Sequence, residues 1–327
     1  MQYRRYGKTG YQVSAIGFGA WPIGGGWGDV DDAASLRALH AAADAGMTLF
    51  DTADVYGDGR SELLIGRFLR ERSGERLVVA TKMGRSVPQV VGNYTPEAFR
   101  GWVDRSRRNL GVDRLDLVQL HCPPTDLYYR PELFEALDDL VASGAIAHYG
   151  VSVERVEEGL KAIEYPGVAS VQIIFNMLRH RPAERFLGEA ARRDVGVLAR
   201  VPLASGLLTG KFSRQSTFDP TDHRAFNRHG EEFDVGETFS GVDYETGLEV
   251  VEELRSLVPE GVTLAQLALR WILMFDGITA AIPGAKTPEQ AAANAAAADL
   301  PPISEAAMER VAQLYAERVK SQVHQRW

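Results

Sequence analysis

Short apolar runs of strand length recur along the chain, and the segments between them bring their apolar residues back at helical spacing. The eight runs are 15–19 (AIGFG), 48–52 (TLFDT), 77–82 (LVVATK), 115–121 (LDLVQLH), 148–152 (HYGVS), 171–176 (VQIIFN), 195–203 (VGVLARVPL) and 278–284 (ITAAIPG). They are continuous apolar stretches instead of alternating ones, as expected of parallel strands covered on both faces. Ahead of them, 1–14 reads as a β-hairpin turning around Gly7–Gly10.

The intervening segments carry helix punctuation. DDAASLRALHAAADAG ends on Gly46, RPELFEALDDLVASG on Gly144 and TLAQLALRWILMFDG on Gly277. TPEAFRGWVDRSRRNLG starts with Thr95 as cap and Pro96 in the first helical position, and ends on Gly111. Eight strand–helix repeats with right-handed crossovers predict a (β/α)8 TIM barrel behind an N-terminal hairpin. The rival is a doubly wound sheet, whose dinucleotide fingerprint should follow the first strand. There GFGAWP puts Pro22 where the third glycine belongs, so the barrel is preferred.

At 327 residues the chain fits one such barrel domain, 1–327. Residues 213–241 break the rhythm: they are polar, with little periodicity, after the seventh strand. Loops of that length are uncommon and are functional lids or disordered segments. A tail follows at 319–327.

Composition narrows the function. A net charge of -8 disfavours nucleic-acid or anionic-membrane partners. No signal-peptide pattern or membrane-length apolar run is present, and one cysteine, Cys122, suits a reducing compartment, so a cytoplasmic protein is expected. With no HExxH pair and no CxxC spacing among its His and Cys residues, no metal is expected.

The C-terminal ends of barrel strands face the active site. Asp51 ends the second strand, Lys82 the third and His121 the fourth, and Tyr56 follows Asp51 within a reach that folds its ring back over the mouth. Singly, each has a plainer reading: a capped turn, a solvated strand terminus, a satisfied imidazole, a loop aromatic. Four of them on neighbouring strands make a chemical set. A phenol has a pKa of about 10, which a neighbouring ammonium lowers. Asp51 supplies the anion that holds Lys82, and a neutral His121 donates a hydrogen bond that orients a carbonyl near the Tyr56 hydroxyl. This is a proton donor for an oxygen passing from carbonyl to alcohol. No side chain supplies hydride, so a nicotinamide cofactor is implied.

These residues, within FDTADVYGDGRSE, VVATK and LVQLH, resemble the catalytic tetrad of the aldo-keto reductases, and the likeness runs from the hairpin to AIPGAKTPEQAAAN. The resemblance implies that Tyr56 protonates the carbonyl, that Lys82 and Asp51 tune it, and that His121 orients substrate.

The cofactor can be placed from the other end of the barrel, where phosphate often binds after strands 7 and 8. PLASGLLTGKF follows strand 7; its Gly206, Gly210 and Lys211 look like a P-loop, but the spacing is one residue short and Phe212 replaces Ser/Thr. After strand 8, Thr287, Pro288 and Gln290 form a capping-box pattern with Lys286 just ahead, placed to meet a phosphate. The resemblance implies that this turn binds the adenosine 2′-phosphate, favouring NADP(H) over NAD(H), with Gln290 and Asn294 at the adenine. It places Ser152 and Gln172 at the nicotinamide carboxamide, and Arg200, Pro202, Leu203, Ser205, Gly206, Lys211 and Gly284 along the cofactor. Two positions depart from the family pattern. Val153 stands where Asn is usual, and Arg200 where a Tyr ring usually stacks on the nicotinamide; a guanidinium is planar but charged.

The resemblance lines the substrate pocket with Trp21, residues 122–129 including Tyr128, the 213–241 loop and Trp327; aromatics beside Asp126 and several Arg and His residues there suit a polar carbonyl compound, an aldehyde, ketone or sugar-like molecule. The expected activity is NADP(H)-dependent carbonyl reduction. The alternatives are an NADP(H)-sensing regulatory subunit and an NAD-linked dehydrogenase working in the oxidative direction.

Overall fold

The computed structural model describes residues 1–25, 27–28 and 31–327. Strands β1 (Tyr3–Arg5) and β2 (Gln12–Ser14) pair antiparallel as the expected hairpin, joined through a 3-10 turn at Gly7–Thr9. The other eight form one parallel sheet in sequence order: β3 (Phe18–Gly19), β4 (Leu49–Asp51), β5 (Val78–Met83), β6 (Leu115–His121), β7 (Ile146–Ser152), β8 (Val168–Ile174), β9 (Gly196–Arg200) and β10 (Ala280–Ala281). Parallel bridges Ile16↔Ala281 and Gly19↔Gly284 bring the last strand back to the first. This is the (β/α)8 barrel, with helices packed around it. The seventh and eighth strands are shorter than their apolar runs, because the chain turns off at Val201 in a left-handed conformation (φ 50°) and only the middle of 278–284 ladders.

The Thr95, Pro96 and Gly111 signals form as expected, whereas the segment read to Gly277 is helical only over Leu264–Ile272. Thr95 Oγ1 accepts from Ala98 N at 3.2 Å, Pro96 opens the helix Pro96–Leu110, and Gly111 closes it in the left-handed region (φ 69°). Asp31 caps the helix Asp32–Asp44, accepting from Ala34 N at 2.9 Å.

Period-two alternation decides which side chains enter the barrel. Leu49, Val78, Ala80, Leu117, Leu198 and Ala280 form an inner core with Tyr6 and Val13 of the hairpin. Asp51, Lys82, His121 and Arg200 lie two or four residues beyond these on the same strands, so parity aims them inward, one layer nearer the C-terminal mouth. The hairpin plugs the opposite end. Tyr6 is fully buried, its hydroxyl 2.6 Å from Ser170 Oγ, and its ring fills the space above Gly196. A Cβ on residue 196 would lie 2.1 Å from Tyr6 Cδ2. Gly196→Ala should therefore lower stability by about 1–3 kcal/mol, the usual cost of overpacking. The shift in denaturant midpoint reads this; an unchanged midpoint would mean that the hairpin is not a packed plug.

Candidate active site

Lys82 is a charged group buried inside the barrel, 1% exposed. Its Nζ donates to Asp51 Oδ2 at 2.6 Å and to the Thr52 carbonyl at 2.9 Å, and reaches the Tyr56 hydroxyl at 3.4 Å. Gln172 Nε2 donates to the second Asp51 oxygen at 2.7 Å and to Gln119 Oε1 at 3.0 Å. Gln119 in turn donates to Ser170 Oγ at 3.0 Å, which meets Tyr6. A single hydrogen-bonded chain thus runs from the hairpin plug to Tyr56. His121 completes the cluster, its ring edge-on to Tyr56 at 5.9 Å between centroids. The structure brings together all four residues singled out from the strand ends.

Burial pulls the Lys82 ammonium down, but Asp51 and Tyr56 more than offset it, so the amine is held protonated. Burial, with the Arg85 and Lys82 cations nearby, holds His121 well below the usual imidazole range, hence neutral near pH 7. For Tyr56 the expectation of a lowered phenol needs correction. Lys82 does pull it down, but burial is the larger effect and, with the Asp51 and Glu237 carboxylates, leaves it above its ordinary value. The phenol keeps its proton at neutral pH, which suits a donor.

The family model described as Aldo/keto reductase family matches residues 15–316. The aldo-keto reductase YhdN of Bacillus subtilis is 31% identical over 89% of this chain and 86% of its own length. The chain belongs to the aldo/keto reductase family. Other relatives include a probable voltage-gated potassium channel subunit beta of Arabidopsis thaliana, 30% identical over 93% of both chains. An NADH-specific methylglyoxal reductase of Escherichia coli is 29% identical over 90% of this chain and 92% of that protein. A Klebsiella pneumoniae aldo/keto reductase solved with NADP and acetate superposes with a TM-score of 0.70, at 25% identity over 96% of this chain and 95% of that one.

For an aldo-keto reductase barrel, the residues expected along a cofactor fall into three groups. Ser152 is buried beside His121, its hydroxyl 3.5 Å from Cys122 Sγ, and Gln172 spends its amide nitrogen on Asp51 and Gln119. After β9, Pro202 and Leu203 lead into a 3-10 run, Ala204–Thr209, in which Ala204, Ser205 and Gly206 all have positive φ. Ser205 Oγ is taken up by the long loop, donating to the Glu237 carbonyl and accepting from Phe239 N, both at 3.0 Å, while Lys211 is exposed. At the last turn, Gln290 Oε1 accepts from Lys286 N at 2.7 Å and Asn294 donates to the Gly284 carbonyl at 3.2 Å. Gly284 itself is needed for closure, since a Cβ there would lie 2.6 Å from Pro22. Lys286 Nζ contacts the Trp27 carbonyl. His121 Nδ1 and Arg200 Nε are buried without a hydrogen-bond partner among the described residues. Such atoms at the mouth of a barrel fit a polar ligand that completes them.

Trp21 stacks on Tyr56 at 6.0 Å and lies near His223 and Phe233 of the long loop, so it borders the tetrad. Tyr128 is wholly buried and offers no open face. Trp327 reaches the site through the loop: its Nε1 donates to Asp234 at 2.9 Å and its ring packs on Gly236 and Gly241. The 213–241 segment is therefore an ordered cover over the mouth, with a short helix at His223–Phe226 and turns at Val235–Glu237 and Phe239–Gly241.

Arg200 does not lie free as a flat face. Its Nη2 pairs with Glu154 at 2.7 Å and donates to the Val153 carbonyl at 3.1 Å, while Nη1 is 3.6 Å from Glu237. Arg85 binds Glu237 at 2.7 Å and Glu154 at 3.3 Å, closing a buried quartet. Sequence reasoning missed Arg85, Glu154 and Glu237, since they come from three separate loops. The signal was Arg200 itself: a guanidinium ending a buried strand demands a carboxylate. Cys122 Sγ lies with the two carboxylates closely enough to suggest metal ligands. Both carboxylates are already engaged by guanidiniums, and burial pushes the thiol up, so this donor set is built as an ion-pair network.

Removing one member of a buried pair leaves the other charge uncompensated, at about 3–5 kcal/mol. Lys82→Met should lose stability on that scale, and Lys82→Met with Asp51→Asn should lose markedly less. Urea unfolding of both compares them; equal losses would show that Asp51 is not charged in the folded protein.

Proposed function

We propose that the protein is an NADP(H)-dependent carbonyl reductase in which Tyr56 is the proton donor. One observation carries this reading: the Tyr56 hydroxyl is held at a buried, charged Lys82 that is itself clamped by Asp51. A nicotinamide cofactor supplies hydride when bound. Tyr56 keeps a proton on its hydroxyl for the substrate oxygen, and Lys82 stabilises the phenolate left when that proton departs. Neutral His121 offers a ring N–H beside Tyr56 to orient the carbonyl. Trp21 and the 213–241 cover keep water away from this mouth.

Ser152 and Gln172 are proposed to hold the carboxamide, and the 202–211 turn, Gly284, Lys286, Gln290 and Asn294 the rest of the dinucleotide. NADP(H) is favoured over NAD(H) through Lys286; the NADP-bound neighbour supports it, whereas the Escherichia coli relative's name points to NADH. A regulatory role is the second reading, favoured by the channel-subunit relative. An assembled Tyr56–Lys82–Asp51–His121 cluster favours the enzyme, because a sensor has no need of a proton donor. The substrate is proposed to be a small polar aldehyde or ketone.

NADPH consumption against an aldehyde panel tests the activity. Tyr56→Phe should cut reduction below a tenth of wild type while NADPH binding stays unchanged; a faster residual rate would remove Tyr56 from the role. Lys286→Ala should weaken NADPH binding by about 1.5–3 kcal/mol, the span for a charge-assisted hydrogen bond, with little effect on NADH. Equal losses for the two cofactors, measured by titration, would assign Lys286 another task.

A further inference from the structure

The two departures from the family pattern at the mouth, Val153 and Arg200, are joined in the structure, and a third residue joins them. Arg200 Nη2 rests on the Val153 carbonyl, on Glu154 and, at 3.6 Å, on Cys122 Sγ. The same sulfur lies 3.5 Å from Ser152 Oγ. The guanidinium therefore stands one atom away from the hydroxyl proposed to hold the carboxamide. Its field also reaches the tetrad: burial raises the Asp51 carboxyl and Arg200, after Lys82, opposes that rise, while for His121 it adds to the depression set by burial, Arg85 and Lys82.

A nicotinamide ring is neutral when reduced and cationic when oxidised. An uncompensated guanidinium at this place would repel the oxidised ring and leave the reduced one almost untouched. Glu154 is the nearer of the two carboxylates, at 2.7 Å against 3.6 Å for Glu237, which is spent on Arg85. It is also held in place: the Glu154 and Arg155 amides both donate to Glu158 Oε2 at 3.0 Å, and Glu158 Oε1 accepts from Thr125 at 2.7 Å. That brace fixes the turn after β7 so that the carboxylate faces Arg200.

Building on the cofactor reading above, we propose that Glu154 is a positioning residue that neutralises Arg200 beside the nicotinamide, and so sets the relative affinity for oxidised and reduced cofactor. Without the Glu154 charge, Arg85 and Arg200 share only Glu237 and the quartet carries a net positive charge.

The test is the ratio of dissociation constants, Kd(NADP⁺)/Kd(NADPH), by fluorescence titration at pH 8. Glu154→Gln should raise this ratio at least tenfold, and Glu154→Asp, which keeps the charge, less than threefold. In an Arg200→Tyr background, Glu154→Gln should change it less than twofold. An equal loss for both cofactors, or the same shift without Arg200, would overturn the proposal. A pH series on the unaltered protein needs no folding of a variant. Burial pushes the Glu154 carboxyl up to about 7, despite Arg200 and Arg85; the neighbouring Glu237 adds to the rise. Glu237, the quartet's other carboxylate, is raised by burial but held well below the usual carboxylate range by Arg85 and Arg200; the Cys122 thiol beside the quartet is pushed out of the range by burial, and Arg179, the remaining cation near Glu154, stays charged. Lowering pH from 8 to 6 should therefore raise the ratio in the wild type and not in Arg200→Tyr; the 2′-phosphate, with a pKa of about 6, titrates in both cofactors alike and cancels. A ratio independent of pH would also overturn the proposal. Failure to bind either cofactor would overturn the cofactor reading itself, whereas normal binding with an unshifted ratio overturns only the role of Glu154.

Discussion

A buried ammonium is the constraint around which this barrel is arranged. Lys82 lies where water is excluded, and an isolated charge there would cost several kcal/mol. It is tolerated because Asp51 and the Thr52 carbonyl meet it directly, and Asp51 is tolerated because Gln172 takes its other oxygen. Each partner sits on a different strand: β4 gives Asp51, β5 gives Lys82, β6 gives Gln119 and β8 gives Gln172. The strands must hold their register for the charges to meet, so the sheet and the site stabilise each other. Tyr56 is bound to this arrangement from outside, through the one remaining direction of the ammonium.

The mouth repeats the same principle with different groups. Arg85 and Glu154 come from the loops after β5 and β7, Arg200 from the end of β9 and Glu237 from the long cover, and their charges are satisfied only when all four are in place. Glu237 is the member that ties the cover down. The 213–241 segment is held by polar fastenings, Ser205 to Glu237 and Phe239, Asn176 to Ser240 and Asp234 to Trp327, and by Phe218, Val235 and Phe239 packed on the core.

Much of this was legible in the sequence, and the rest was not, for physical reasons. Eight apolar runs showed the strands because both faces of a parallel sheet are covered, and strand-end position singled out Asp51, Lys82 and His121. Tyr56 was found from DTADVYG, where its chemistry makes sense only beside a cation. Strand ends were blurred at 195–203 and 278–284, since apolar residues continue past the ladder to pack the turn. The sign of the Tyr56 shift needed the depth of its burial as well as its partner. The Arg200 quartet depended on long-range proximity between loops, which no spacing encodes. The order of 213–241 was equally hidden, because hydrogen bonds to distant residues leave no periodic trace.

The most direct measurement is the pH dependence of the single-turnover rate of carbonyl reduction, with NADPH bound beforehand. A proton donor that is a buried phenol above its ordinary value, beside a His121 held neutral, predicts a rate that is flat from about pH 6 to 9 in the Arg200→Tyr protein, where the titration of Glu154 no longer bears on the nicotinamide. It should fall only beyond the ordinary phenol pKa of about 10. A break between about pH 6 and 7, in the imidazole range, would place the transferred proton on a histidine and contradict the role of the Tyr56–Lys82–Asp51 cluster.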